Sequence, residues 1–325
     1  MTRVLVAGGG GFIGSHLVRT LVDHGAAVTV ADAWCSYGAP EDEERRRTLA
    51  WRREQLLDGA HVHTLSTDDA RALRQLIRDC DPHVVVQLAN LPFAQQAFEQ
   101  PHEARHAILG STDTLLAALQ HQHAPHLHHV VYVSSSMVYG DFHREPMPEH
   151  APCKPLEPYG RYKHQSEGLV REHGHATGRT VTIVRPSAVY GPGDLGGRFV
   201  QRLVAAAQSR ATLTLTGGGR TRLDFTFVED LAHGLRLAVL QPPGANSATL
   251  NMTYGQARSL TDAVHVVRQL GYPVDIDFAD EHVAFRPRRG ALDNSRARQL
   301  LGYAPQHPLE LGLQRYLAAT APVAA

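Results

Sequence analysis

Over the first 185 residues, short apolar runs alternate with stretches of helical periodicity. Arg3–Ala7 (RVLVA) is an apolar run ending in glycines, and Phe12–His24 carries apolar residues at helical spacing until Gly25 closes it. Ala27–Ala31 (AVTVA) reads as the next strand. The pattern then predicts a strand near His61–Leu65, a helix near Asp68–Asp79, a strand at His83–Leu88 and a long helical stretch over Glu103–Gln120. A strand at His128–Ser134, a helix at Pro158–Thr177 and a strand at Thr180–Arg185 follow. Apolar strands separated by helices form βαβ units, with a parallel sheet covered on both faces. Right-handed crossovers wind such a sheet doubly, so the predicted fold class is α/β.

After Pro186 the alternation stops. Glycine and proline cluster at Gly191-Pro-Gly193, Gly196-Gly197, Gly217–Gly219 and Pro242-Pro-Gly244. This predicts a first domain over 1–186 and a smaller C-terminal α/β substrate lobe over 187–325, with a segment of about 224–245 returning to the first domain. Composition narrows the function classes. Lys+Arg and Asp+Glu are both 32, and a chain without a basic excess is a poor match to nucleic acid or an anionic membrane. Cys35, Cys80 and Cys153 form no C-x-x-C pair, which fits a reducing cytoplasm and neither a disulfide framework nor a thiolate zinc site. The chain enters a strand at once and has no apolar run long enough to span a bilayer. Histidine is abundant at 21, five of them within His121–His129, but no carboxylate or thiolate lies in that stretch. It is expected to be a solvated loop leading into a strand, with no metal.

The glycines after the first strand carry chemistry. Gly8-Gly9-Gly10-Gly11-Phe12-Ile13-Gly14 contains G-x-x-G-x-x-G between a strand and a helix. There the backbone must turn sharply and approach a pyrophosphate more closely than any Cβ permits. The helix N-terminus presents free N–H groups to the phosphate. Asp32 ends the second strand at the spacing of a ribose-binding carboxylate. A carboxylate there accepts from the ribose hydroxyls and repels a 2′-phosphate, so a Rossmann-type domain that prefers NAD to NADP is expected.

A second constellation lies further on. Tyr159-Gly-Arg-Tyr-Lys163 places Tyr159 and Lys163 one helical turn apart on the same face. An ammonium beside a phenol, with an oxidised nicotinamide near by, lowers the phenol pKa and makes the phenolate a general base. Ser135, at the end of the fifth strand, is placed to share the proton of a substrate alcohol.

With these residues in hand, the chain resembles the extended short-chain dehydrogenases/reductases, the NAD-dependent epimerase/dehydratase group that acts largely on nucleotide sugars. The resemblance runs through Gly8–Gly14, Val133-Ser-Ser-Ser-Met-Val-Tyr-Gly140, Pro158–Lys163 with Glu167, Arg185–Gly193, Asp224–Asp230 and the stretch from Arg286 to Ala297. It implies a cleft between the two lobes, a nucleotide-sugar substrate and a homodimer formed through two long helices. Counting four residues back from Tyr139 of the V-Y-G turn makes Ser135 the catalytic hydroxyl. The cofactor contacts implied are Gly8, Gly11, Phe12, Ile13, Gly14, Asp32, Ser66, Thr67, Leu88 and Ala89, with Tyr159 and Lys163. The substrate contacts implied are Ser135, Ser136, Met137, Tyr159, Arg222 and Arg288.

The departures shape the expected reaction. Ala188, Leu223, Ala107 and Ser66 replace the usual Asn, Arg, Asn and Asp of the group, and Arg220, Arg222, Arg286 and Arg288 are candidates to restore the charge. Members that eliminate water or CO2 keep an acidic residue just after the catalytic hydroxyl, where this chain has Ser136 and Met137. The expected activity is therefore nucleotide-sugar epimerisation, at C4 through a transient 4-keto sugar. The alternatives are a keto-sugar reductase or dehydrogenase on the same Ser–Tyr–Lys site and a catalytically silent NAD-binding regulatory protein.

Overall fold

The computed structural model describes residues 1–36, 41–90, 94–242, 247–279 and 287–320. Its centre is a sheet of seven strands: β1 (Arg3–Ala7), β2 (Ala27–Asp32), β3 (His61–Thr64), β4 (Val84–Gln87), β5 (His129–Val133), β6 (Thr180–Arg185) and β7 (Ala248–Asn251). Across the sheet they run β7-β6-β5-β4-β1-β2-β3, and every pairing is parallel. Val4, Leu5 and Val6 stand in register with Val84, Val85 and Val86 on one side and with Val28, Thr29 and Val30 on the other. The strand order reverses between β1 and β4, and the crevice at their carboxyl ends is where this architecture takes a ligand.

Successive residues of a strand face opposite sides, so both faces of the sheet need cover. On one face Leu17, Val18 and Leu21 of α1 (Phe12–Asp23) pack on Val4, Val6, Val28 and Val86, and Leu231 and Leu235 of a later helix join them. On the other, Leu5, Val85, Val130 and Tyr132 meet α2 (Ala70–Cys80), α3 (Ser111–Ala118) and α4 (Pro158–Thr177) through Leu73, Ile77, Leu115 and Val170. A second core, with Leu203, Phe225, Phe227, Val264, Leu313 and Tyr316, defines the smaller lobe.

The chain after Pro186 returns to the sheet beyond the segment read from sequence. Helix α5 (Val228–Leu240) packs on α1, β7 then adds the edge strand beside β6, and Ala297, Leu301 and Tyr303 sit in the same cluster as α1. The helical stretch after residue 100 is also interrupted, by a wide turn at His106–Gly110. The histidine stretch is not solvated throughout. His129 is fully buried on β5 with Nε2 2.9 Å from Thr182 Oγ1, and burial pushes its imidazole down to about 4. No described helix is long and apolar enough to cross a membrane.

Candidate active site

The turn after β1 is built so that only glycine fits at two of its positions. Gly8 has φ +82°, and a β-carbon there would stand 2.4 Å from the Ala89 nitrogen; one on Gly14 would stand 2.2 Å from the Gly8 carbonyl oxygen. Removing both side chains lets α1 begin directly beneath the turn, with Gly11 as its N-cap and no side chain capping the free N–H groups. Asp32 faces them from the end of β2. Its Oδ2 accepts from the Gly10 N–H at 2.9 Å and its Oδ1 from the Trp34 N–H at 2.8 Å. Burial pushes this carboxyl up, and the backbone donors of Trp34, Gly10 and Gly11, with the charge of Arg52, pull it back. A carboxylate has about four lone-pair sites, so acceptors remain for ribose hydroxyls.

These groups open onto a cavity of about 660 Å³. Gly8, Gly11, Phe12, Asp32, Ser66, Thr67, Leu88 and Ala89 line it, whereas Gly14 lies packed beneath the turn. Other residues on its wall were not read from sequence. Arg52 is buried, donating to the Gly10 carbonyl at 3.1 Å and also to the Gly193 carbonyl. Burial pulls its guanidinium down to about 10, against the support of Asp194 and Asp32. Arg198 pairs with Asp194 at 2.8 Å and lies over the Phe12 ring, 5.6 Å from its centroid. Asn90 also lines the cavity, with both side-chain amide atoms buried and unpartnered.

The second constellation stands at the end of β5. Ser135 has extended backbone and caps the short turn Ser136–Tyr139, its Oγ accepting from the Met137 N–H at 3.2 Å. Tyr159 lies in the first turn of α4, whose N-cap Glu157 accepts from the Tyr159 and Gly160 N–H groups at 2.8 Å each. Lys163, one turn on, is buried; its Nζ donates to the Val133 carbonyl at 2.8 Å and lies 5.8 Å from the Tyr159 ring centroid. Thus the structure brings Ser135, Tyr159 and Lys163 to one place. Burial holds the phenol up at about 12, with Glu157 adding to that, while Arg198, a hydrogen bond from Ser135, and Arg289 oppose it. Burial also holds the Lys163 ammonium down at about 7.

A buried ion pair fixes the frame behind this turn. Ser134 Oγ donates to Glu167 Oε1 at 2.7 Å, and Arg185 reaches both Glu167 oxygens at 2.8 and 2.6 Å. Burial alone pushes the Glu167 carboxyl up, but the Arg185 fork outweighs it and holds the group well below the usual carboxylate range.

The basic residues expected at the substrate divide differently. Arg222 is exposed and tied to Glu145 at 3.2 Å. Arg288 is exposed, its backbone N–H on Asp141 and its Nε on the Phe142 carbonyl at 3.1 Å. Arg286 lies outside the described residues. The cation that reaches the Ser135 turn is the next one along, Arg289, which donates to Ser136 Oγ at 2.5 Å and to Ser187 Oγ at 2.9 Å. The signal was present in the run Arg286-Pro-Arg-Arg-Gly290, but nothing in the run says which arginine turns inward.

The glycine cradle stands at the switch point after β1, and the tyrosine–lysine pair on α4 stands beside the end of β5, the two features that the sequence resemblance called for. Residues 4–252 match the NAD dependent epimerase/dehydratase family, and the chain belongs to it; its cofactor is NAD. A UDP-glucose 4-epimerase of Azospirillum brasilense is 29% identical over 96% of this chain and 90% of its own. A dTDP-glucose 4,6-dehydratase of Mycobacterium tuberculosis is 30% identical over 94% of this chain and 88% of its own. Among solved structures, MoeE5 in complex with UDP-glucuronic acid and NAD superposes with a TM-score of 0.83 at 27% identity, covering 98% of each chain.

Proposed function

We propose that this protein is a nucleotide-sugar 4-epimerase that works through a transient 4-keto sugar. The observation that carries the reading is the lack of a free carboxylate on the catalytic turn. Ser136 and Met137 follow Ser135, and the nearby Glu157 is committed to two helix N–H groups. Elimination of water needs a second acid/base beside the one acting at the C4 oxygen, whereas inversion needs only one. The similarity to both epimerases and a dehydratase is consistent with a shared oxidation step followed by different outcomes.

The residues fit NAD. Gly8 and Gly14 let the turn close tightly over the start of α1, α1 offers its unpaired N–H groups to the pyrophosphate, and Asp32 takes the adenosine ribose. When bound, NAD supplies the acceptor and donor of hydride at C4. The protein does the rest. Tyr159 removes the proton from the C4 hydroxyl as Ser135 holds that oxygen, and returns it after the ketone has turned over. Lys163 keeps the phenolate in favour and holds the nicotinamide ribose. The phenol stands at about 12 even with Arg198 and Arg289 opposing its burial, so further positive charge beside it is what brings the base into working range.

The test is product analysis of the NAD-loaded protein with UDP- and dTDP-sugars. The expected product has the mass of the substrate, no deuterium at any C–H position when formed in deuterated water, and leaves no net change in nicotinamide absorbance. A product lighter by water or CO2, or stoichiometric NADH, sinks the reading. Tyr159→Phe is expected to lower turnover by about 10² or more with NAD affinity nearly intact.

A further inference from the structure

Two of the buried arginines elsewhere in this molecule, Arg185 and Arg179, are fully provided for, whereas Arg52 keeps a buried Nε–H without an acceptor. Arg185 takes both oxygens of Glu167, and Arg179 donates to three backbone carbonyls, of Leu119, Ala124 and Leu127. Arg289 is not fully provided for. Besides the Phe142 ring, whose centroid lies 5.8 Å from its guanidinium, its partners among the described residues are two serine hydroxyls, those of Ser136 and Ser187, and the Met137 thioether, with Nη1 2.7 Å from Sδ. All three are neutral, and a thioether sulfur is a weak acceptor. Its Nε–H is buried without any acceptor, although the residue as a whole keeps some exposed surface.

The carboxylates that act on Arg289 do so through space and are spent on the backbone. Asp224 accepts from the Gly255 and Leu292 N–H groups at 3.0 Å each, and Glu157 from those of Tyr159 and Gly160. Burial pulls the guanidinium down to about 10, which records how poorly the site compensates the charge. A buried charge without a counterion is costly, and at the end of a substrate cleft it marks where an anion of the ligand is received.

Its place says which part of the ligand that is. Ser136 and Met137 follow Ser135 directly, and the charge of Arg289 is felt by the Tyr159 phenol. The anion therefore sits at the reacting end, beside the sugar ring. We propose that Arg289 forms an anion subsite for the sugar, and that the natural substrate carries a sugar carboxylate, a nucleotide hexuronate rather than a neutral nucleotide hexose. The planar guanidinium fork suits a carboxylate, and a neutral hydroxymethyl group leaves the charge uncompensated. This inference rests on the nucleotide-sugar reading above.

The test is calorimetric titration of the NAD-loaded protein with UDP, UDP-glucose and UDP-glucuronate, on the wild type, Arg289→Lys and Arg289→Gln. The wild type is expected to bind UDP-glucuronate about tenfold or more tighter than UDP-glucose, the scale of one charge-assisted hydrogen bond. Arg289→Gln is expected to erase that preference while UDP affinity is kept, and Arg289→Lys to restore part of it. Wild-type binding of UDP-glucose as tight as UDP-glucuronate overturns the proposal. So does an equal loss for all three ligands in Arg289→Gln, which would make Arg289 a prop for the catalytic turn. The wild-type comparison stands even if a variant fails to fold. Failure of all three ligands to bind the wild type overturns the nucleotide-sugar reading instead, a result distinct from binding without preference.

Discussion

Gly160 rests against the carbonyl of Met137 so closely that a β-carbon on it would lie 2.7 Å from that oxygen and 2.8 Å from Glu157 Oε1. The residue between Tyr159 and Lys163 thus sets the distance between helix α4 and the turn that carries Ser135. Gly160→Ala must push the two apart or displace the N-cap. Turnover is expected to fall by about 10², the scale of an ångström of misplacement. NAD affinity, measured by titration, should change little, because the glycine cradle lies elsewhere. Full activity in this variant would mean that the register of helix and turn is not critical.

Asp32 is expected to select the cofactor. Its carboxylate faces the cavity behind Gly10 and Trp34, where a 2′-phosphate would meet a like charge. Asp32→Ala should narrow the NAD-over-NADP affinity ratio by about tenfold or more in paired titrations. Equal affinities in the wild type would contradict this role.

Lys163 gives a pH dependence with a definite sign. The unfolded chain keeps a proton on this residue up to about 10.5, while burial makes the folded chain release it at about 7. The folded state therefore carries a penalty that is full below about 7 and shrinks as pH rises toward 10.5. Lys163→Met removes the penalty and is expected to abolish the proposed activity. The cofactor-free variant should melt several degrees above the wild type at about pH 6, with the gap narrowing by about pH 9. A constant or reversed gap in a melting series would refute it.

Glu167 has the opposite sign. Its pair with Arg185 contributes stability above the ordinary carboxylate value and loses it only in strong acid. Glu167→Ala leaves a buried guanidinium alone and should cost about 3–5 kcal/mol in denaturant unfolding. Replacing both partners with apolar residues should cost much less.

Local signals in the chain carried most of the nucleotide half. Strand periodicity, the glycine spacing, Asp32, and the tyrosine–lysine spacing are all short-range patterns, so they are visible within a few residues. What was not legible depends on long-range register. Arg289 reaches Ser136 because the backbone after Pro287 pairs with the segment at Phe142–Met147, more than a hundred residues earlier. The burial of His129 depends on a neighbour, Thr182, in a different strand. Arg52 has no motif around it, and its targets are carbonyls on two separate loops.

Those two carbonyls bear on how the cofactor leaves. One guanidinium clasps Gly10, in the cofactor turn, and Gly193, where the chain sets out into the smaller lobe. On the function proposed above, the lobe cannot swing away without straining this hold on the turn that would carry the pyrophosphate, so access for a new sugar and escape of the dinucleotide would share one latch. An epimerase of the kind proposed, which recovers its own hydride at the end of each cycle, has reason to keep that latch shut. Arg52→Met is accordingly expected to lose NAD on gel filtration where the wild type retains it, as read from the nicotinamide content of the protein peak. Equal retention would show that the clasp holds only the loops.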